Sequence, residues 1–218
     1  MTATVAPAEQ RPALPSNTAV YRDDGPLALA IGRAAGARVP VPAMALLLLG
    51  AGAILALAAF VGRDASTGLA AAAVAWLVLT VGVTSGRWPK ESFHWAVPPL
   101  VRLAEYAALA WLAAIADAVP AAFALICALT FRHYDLVYRL RHRAEVPPRW
   151  LNLLAAGWEG RVIIAWLLLA LGALPEAMYV WAGLLGAVSV AETVVAWRRF
   201  ERGRGTAGEF DEVEGEGE

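Results

Sequence analysis

Long uncharged stretches separated by short polar connections set the plan of this 218-residue chain. Val39 to Gly62 is an apolar run of 24 residues, and Ala65 to Gly86 one of 22. Each exceeds the ~20 residues a helix needs to cross hydrocarbon. Pro40 and Pro42 stand at the first run's entrance, where a missing N–H costs little. Four further stretches carry charge near one end: Trp95 to Ala116, Ala118 to Tyr138, Trp158 to Leu174 and Glu176 to Trp197. Each approaches spanning length if its charges lie at the interface or inside a bundle. The pattern predicts an all-α, polytopic membrane protein with six transmembrane helices over residues 39–200.

Ahead of these, Tyr21 to Arg38 reads as a short amphipathic helix lying along the membrane interface. Asp24 and Pro26 mark its start, and Leu27, Ala30, Ile31 and Ala34 share one face. Residues 1–20 are polar and rich in Ala and Pro, and are expected to be a disordered tail. Residues 201–218 end in EFDEVEGEGE, expected to be an acidic, solvated tail.

Charge gives the orientation. Sixteen of the eighteen Lys and Arg residues fall on one side of the predicted crossings. They lie before the first helix, at Arg87 and Lys90, between the fourth and fifth helices, and after the sixth. Arg63 and Arg102 are the other two. Basic residues stay cytoplasmic, so both termini are expected in the cytoplasm. Trp88, Trp95, Trp150, Trp158 and Trp197 fall at the predicted cytoplasmic edges, where indoles suit headgroups. Trp76, Trp111, Trp166 and Trp181 lie deeper and read as packing residues.

Composition agrees with this assignment: 59% of residues are hydrophobic and 17% charged, below the usual quarter of a soluble domain. The net charge of −1 hides Arg-rich connections and an acidic tail. Nucleic-acid binding is disfavoured, because the basic groups are spread along bilayer edges instead of gathered in one module. Cys127 is alone, which excludes an intrachain disulfide.

A weaker pattern links the third–fourth and fifth–sixth hairpins. Trp111 precedes Pro120 by the interval at which Trp166 precedes Pro175, while Glu105 and Glu159 are offset by one residue from that register. The two hairpins read as candidate parallel repeats.

Charged groups at membrane depth are costly and become functional candidates by default. Arg102, Glu105 and Tyr106 share one face of the third helix at i, i+3 and i+4. They read either as a pair fixing helix packing or as part of a cavity open to the cytosol. Arg132, Asp135 and Arg139 form a stripe on the fourth helix, with His133 and Tyr134 pointing elsewhere. Forked guanidinium donors suit phosphate or diphosphate; snorkelling to anionic headgroups is the alternative. Arg161 and Glu159 open the fifth helix, and Glu192 lies little more than a turn before the cytoplasmic end of the sixth. Arg102, Arg132, Arg139, Arg161 and Tyr106 are thus candidate phosphate-binding residues. Glu105 and Asp135 are candidate catalytic carboxylates, and Glu105, Asp135 and Glu159 candidate ligands for Mg²⁺ or Mn²⁺. The chain has no HExxH, CxxC pair, P-loop or GxSxG run.

FRHYDLVYRLR, PPRW, GWEGR, YRDDGPLA and WAVPPLVRLAEY resemble an uncharacterised actinobacterial integral-membrane domain found fused behind nucleotidyltransferase and CDP-alcohol phosphotransferase modules. The likeness covers Tyr21 to Arg202 and implies a setting in phospholipid or polar-headgroup synthesis at the bacterial inner membrane. The phosphotransferase signature, Asp-Gly-x-x-Ala-Arg with spaced downstream acids, is absent, so no catalytic residue carries over. Three functions follow as expectations: a membrane protein with a cytosol-facing site for a phosphorylated lipid or headgroup precursor, a non-catalytic anchor or regulator of such a transferase, or a small transporter. The prolines cluster at helix ends and extracytoplasmic turns, which disfavours the transporter.

Overall fold

A computed structural model describes residues 21–85, 94–143 and 155–214. Among the described residues the chain forms α-helices and 3-10 turns, with no strand. The helices are α1 (Pro26–Ala35), α2 (Ala43–Phe60), α3 (Thr67–Val83), α4 (Val97–Ile115), α5 (Val119–Arg143), α6 (Gly157–Ala170) and α7 (Leu174–Glu214). Lys90, Trp88 and Trp150, expected at the cytoplasmic edge, lie outside the described residues, as does the expected tail over residues 1–20. The second expected tail, residues 201–218, is helical as far as Glu214, because α7 continues without a break.

Local signals set the helix starts. Pro26 occupies the first turn of α1 behind Gly25, where its fixed φ is preorganised and its missing N–H is not needed. The Ser66 hydroxyl accepts the Leu69 N–H at 3.2 Å and caps α3. Prolines again occupy the first turn of α4.

The six long helices run back and forth, with α4 at the centre against α2, α3, α5 and α6. Small residues line its contacts: Ala104, Ala108 and Ala113 on α4, Ala121 and Ala122 on α5, and Ala165 on α6 are all buried. Such residues let helix backbones approach closely where no hydrophobic gradient drives packing. Larger side chains point outward, including Leu48, Leu49, Leu79, Phe123, Val180 and Leu184.

Two helices are long and apolar enough to cross a bilayer, Ala43–Phe60 and Leu174–Arg198, and only 28% and 17% of their apolar windows are buried inside the chain. The other four expected crossings do not reach that standard. Helix α3 has 17 residues and α6 has 14. Helix α4 carries Arg102 and Glu105, and α5 is interrupted by Arg132, His133 and Asp135.

The suspected repeat has a matching geometry. Asp117 (φ 52°) and Gly172 (φ 70°) end α4 and α6 in the left-handed conformation. In both turns a 6→1 bond follows, Ala118 N–H to the Ala113 carbonyl at 2.7 Å and Ala173 N–H to the Leu168 carbonyl at 2.9 Å. The same sequence offset relates Trp111 to Trp166 and Pro120 to Pro175. Both indoles donate between the end of α2 and the start of α3, Trp111 to the Gly62 carbonyl at 2.9 Å and Trp166 to the carbonyl of Thr67, the first residue of α3, at 3.1 Å.

Candidate functional site

The end of the bundle where α3 and α5 finish and α4 and α6 begin collects the buried charge. At its middle is Asp23, which precedes every described helix and adopts φ 53°, a left-handed conformation that Asp tolerates better than most residues. The Asp23 carbonyl accepts the Trp158 backbone N–H at 3.1 Å. Its carboxylate faces Arg161 of α6 (2.9 Å), Arg132 of α5 (3.4 Å), His133 of α5 (3.4 Å) and Arg102 of α4 (4.0 Å). Guanidinium groups from three helices therefore meet on one carboxylate from outside the bundle.

Glu105 is the second anion of this network. Arg161 Nε donates to one of its oxygens at 2.5 Å and Arg102 Nη1 to the other at 2.7 Å. Arg161 also donates to the Ala155 carbonyl at 2.7 Å, and the side chains of Arg161 and Glu105 have no exposed surface. The Tyr106 hydroxyl lies 2.7 Å from His133 Nδ1; if it donates there, Nε2 carries the proton towards Asp23. Charges so buried persist only when paired and hydrogen-bonded. Burial alone would raise the Asp23 carboxyl's affinity for a proton. The facing Arg161, the His133 bond, Arg102 and Arg132 outweigh that and hold its pKa far below the carboxylate range.

The residues around Asp23 fix the N-terminal segment to the bundle. Arg22 donates to the Thr84 hydroxyl at 3.0 Å and to the Val81 and Thr84 carbonyls at 3.4 Å, so a cation sits on the C-terminal end of α3, where the helix dipole favours it. Asp24 receives Arg22 Nε at 2.8 Å, the Ser85 hydroxyl at 2.9 Å and the Trp158 indole at 2.8 Å. Glu159 accepts the N–H groups of Gly25 (3.0 Å) and Ala28 (3.1 Å). Its carboxylate thus takes the place of a capping side chain at the start of α1, where the N-cap residue is Gly25. Gly25 and Gly157 make the approach possible, since a Cβ on Gly157 would lie 2.6 Å from the Gly25 Cα.

Arg139 forms a separate cluster. It meets Asp135 at 2.7 Å and also contacts Glu192 of α7, while the Thr193 hydroxyl lies 3.4 Å from its Nη2. Asp135 and Glu192 keep 18% and 16% of their side-chain surface exposed.

The expected site is thus brought together in part. Arg102, Glu105, Tyr106, Arg132 and Arg161 converge. The expected stripe on α5 is divided, because Arg132 turns to Asp23 while Asp135 and Arg139 turn to α7. Glu105, Asp135 and Glu159 do not form a metal centre: one is claimed by two guanidiniums, one by Arg139, and one by the α1 backbone donors. Among the described residues, no group of three His, Cys, Asp or Glu side chains could hold a metal ion. His133, expected to point away, faces Asp23. Trp158, expected among headgroups, is wholly buried because its indole is needed by Asp24. Sequence reasoning passed over Asp23 and Arg22; the signal was the adjacent acid pair in RDDG, inside a segment otherwise rich in Arg.

A family model described as a family of unknown function, DUF5941, matches residues 15–216, and the chain belongs to this family. No curated protein and no solved structure matches it.

Proposed function

We propose that this DUF5941 protein is a six-pass protein of the bacterial inner membrane, with both termini cytoplasmic. Its charged end faces the cytosol and binds the phosphate of an anionic lipid or phosphorylated headgroup precursor in phospholipid metabolism. The observation that carries this reading is the meeting of Arg102, Arg132 and Arg161, from three different helices, at one buried point. Guanidiniums placed in this way match an anion with several acceptor oxygens. Outward-facing apolar side chains on α2 and α7 support the bilayer setting, and the one-sided basic residues support the orientation. Glu105 serves as the orienting carboxylate, since both of its oxygens are engaged by arginines. Asp135 and Arg139 tie α5 to α7.

The test is lipid retention by the full chain in nanodiscs. Native mass spectrometry of wild type should show phosphatidic acid retained over phosphatidylcholine, and Arg132→Gln should lose that preference while remaining folded. Equal retention of the two lipids by wild type, with no binding of inorganic pyrophosphate either, would sink the reading. A second reading, a non-catalytic anchor or regulator of a CDP-alcohol phosphotransferase or nucleotidyltransferase, is favoured by one observation: both carboxylates expected to be catalytic are held by guanidiniums. Co-purification of such a transferase, undisturbed by Arg132→Gln, would select it.

A further inference from the structure

Among the described residues, Asp23 supplies the one side chain of its network that does not come from a bundle helix. The three arginines, Glu105, His133 and Tyr106 all project from α4, α5 and α6, whereas Asp23 is inserted from the segment Tyr21–Gly25. We infer that the position held by the Asp23 carboxylate is the phosphate site itself, and that this segment is a plug which an incoming phosphate displaces. The inference rests on the anion-site reading above and adds what occupies the site and how it opens.

Three observations carry it. Asp23 presents to Arg161, Arg132 and His133 what a ligand would present, an anionic oxygen pair. The fit is incomplete: Arg161 Nη2 is buried with no hydrogen-bond acceptor among the described residues. A phosphate has more acceptor oxygens than a carboxylate and could satisfy that nitrogen as well. The segment also has a way out, although Arg22, Asp24 and Gly25 hold it and their bonds must open with it. It is bent at Asp23 through a left-handed residue, and it is followed by α1, whose Leu27, Leu29 and Arg33 are exposed. Exchange of one anion for another keeps the buried arginines compensated throughout, so the plug need not open onto an empty site.

The experiment uses the full chain in nanodiscs, with inorganic pyrophosphate as the soluble probe and phosphatidic acid against phosphatidylcholine as the lipid probe. Asp23→Asn keeps the side chain's shape and removes its charge. It should bind the preferred probe about tenfold or more tighter than wild type, and adding Arg132→Gln should abolish the gain. Tighter binding of pyrophosphate alone identifies a free headgroup precursor; tighter binding of phosphatidic acid alone identifies a lipid. In wild type, the same probe should speed hydrogen exchange at the amides of Trp158, Gly25 and Ala28, whose acceptors are Asp23 and Glu159. Binding by wild type that Asp23→Asn does not strengthen overturns the plug and leaves the anion site standing. No binding of either probe by either protein overturns both. Should Asp23→Asn fail to fold, exchange in wild type decides: unchanged or slowed amides on ligand addition overturn the plug.

Discussion

The clusters around Asp23 and Arg139 both draw residues from α5, yet they stand in different surroundings. In the first, Glu105 and Arg161 are fully enclosed and Asp23 keeps 7% of its side-chain surface. In the second, the two carboxylates keep 16–18% and can be hydrated when unpaired. The same residue types therefore have different consequences. A charge removed from the enclosed network leaves its partner without water, whereas removing Asp135 leaves Arg139, itself only 4% exposed, still paired with Glu192. The proposed function is assigned to the enclosed cluster because, among the described residues, that is where cations from three helices meet.

The strongest way to break this contrast is Arg161→Met. It leaves the buried carboxylates of Asp23 and Glu105 with Arg102 and Arg132 alone as guanidinium partners, and should cost about 3–5 kcal/mol, read as a large fall in the thermal midpoint in detergent micelles. Asp135→Asn should cost no more than ~1 kcal/mol in the same assay. Comparable losses would mean that the two clusters are equally dry and that the distinction is wrong.

Glu159 sharpens the comparison from its flank. Glu159→Ala removes the acceptor of two α1 backbone donors and should cost about 1–2 kcal/mol. The loss should be local, with faster exchange at Gly25 and Ala28 and little change in α5 or α7. A uniform rise in exchange would instead make Glu159 part of the global core.

Much of the helical plan was legible in the chain. The helices α2 to α6 begin and end close to the edges of the apolar runs, because hydrophobicity and proline are local signals; α7 begins at such an edge but runs on to Glu214. The i, i+3, i+4 spacing likewise placed Arg102, Glu105 and Tyr106 on one face. Which partners those groups find was not legible. Glu159 resembles a ligand in sequence, but it caps a helix 131 positions earlier in the chain, and that depends on how α1 folds back over α6. Asp23 was hidden for the same reason. Its segment reads as an interfacial approach to the membrane, and only its return to the bundle makes it the centre of the charge.

The two clusters should also separate in acid. Asp23 has a strongly lowered pKa in the fold, so its stabilisation is complete above the ordinary carboxylate range near ~4 and is lost as pH falls below it. Stability of wild type should thus be insensitive to Asp23 between neutral pH and the start of that range, then decline. Asp23→Asn, already weaker at neutral pH, should show a shallower acid decline. Parallel acid profiles for the two proteins would show that Asp23 is not held ionised by the arginines.

The smallest effect is expected at the far end of the bundle, where the two hairpins turn. Asp117 and Gly172 hold equivalent left-handed positions, but only one is glycine. A side chain there is strained, and Asp117 recovers little from its exposed contact with Arg63 at 3.4 Å. Asp117→Gly should therefore be neutral or stabilising by about 0.5 kcal/mol, and Gly172→Asp should destabilise by about 0.5–1 kcal/mol. Both appear as small shifts of the thermal midpoint in opposite directions. A clear loss of stability in Asp117→Gly would mean that the Arg63 contact outweighs backbone strain, and that the two turns, although alike in hydrogen bonding, are not interchangeable units of a repeat.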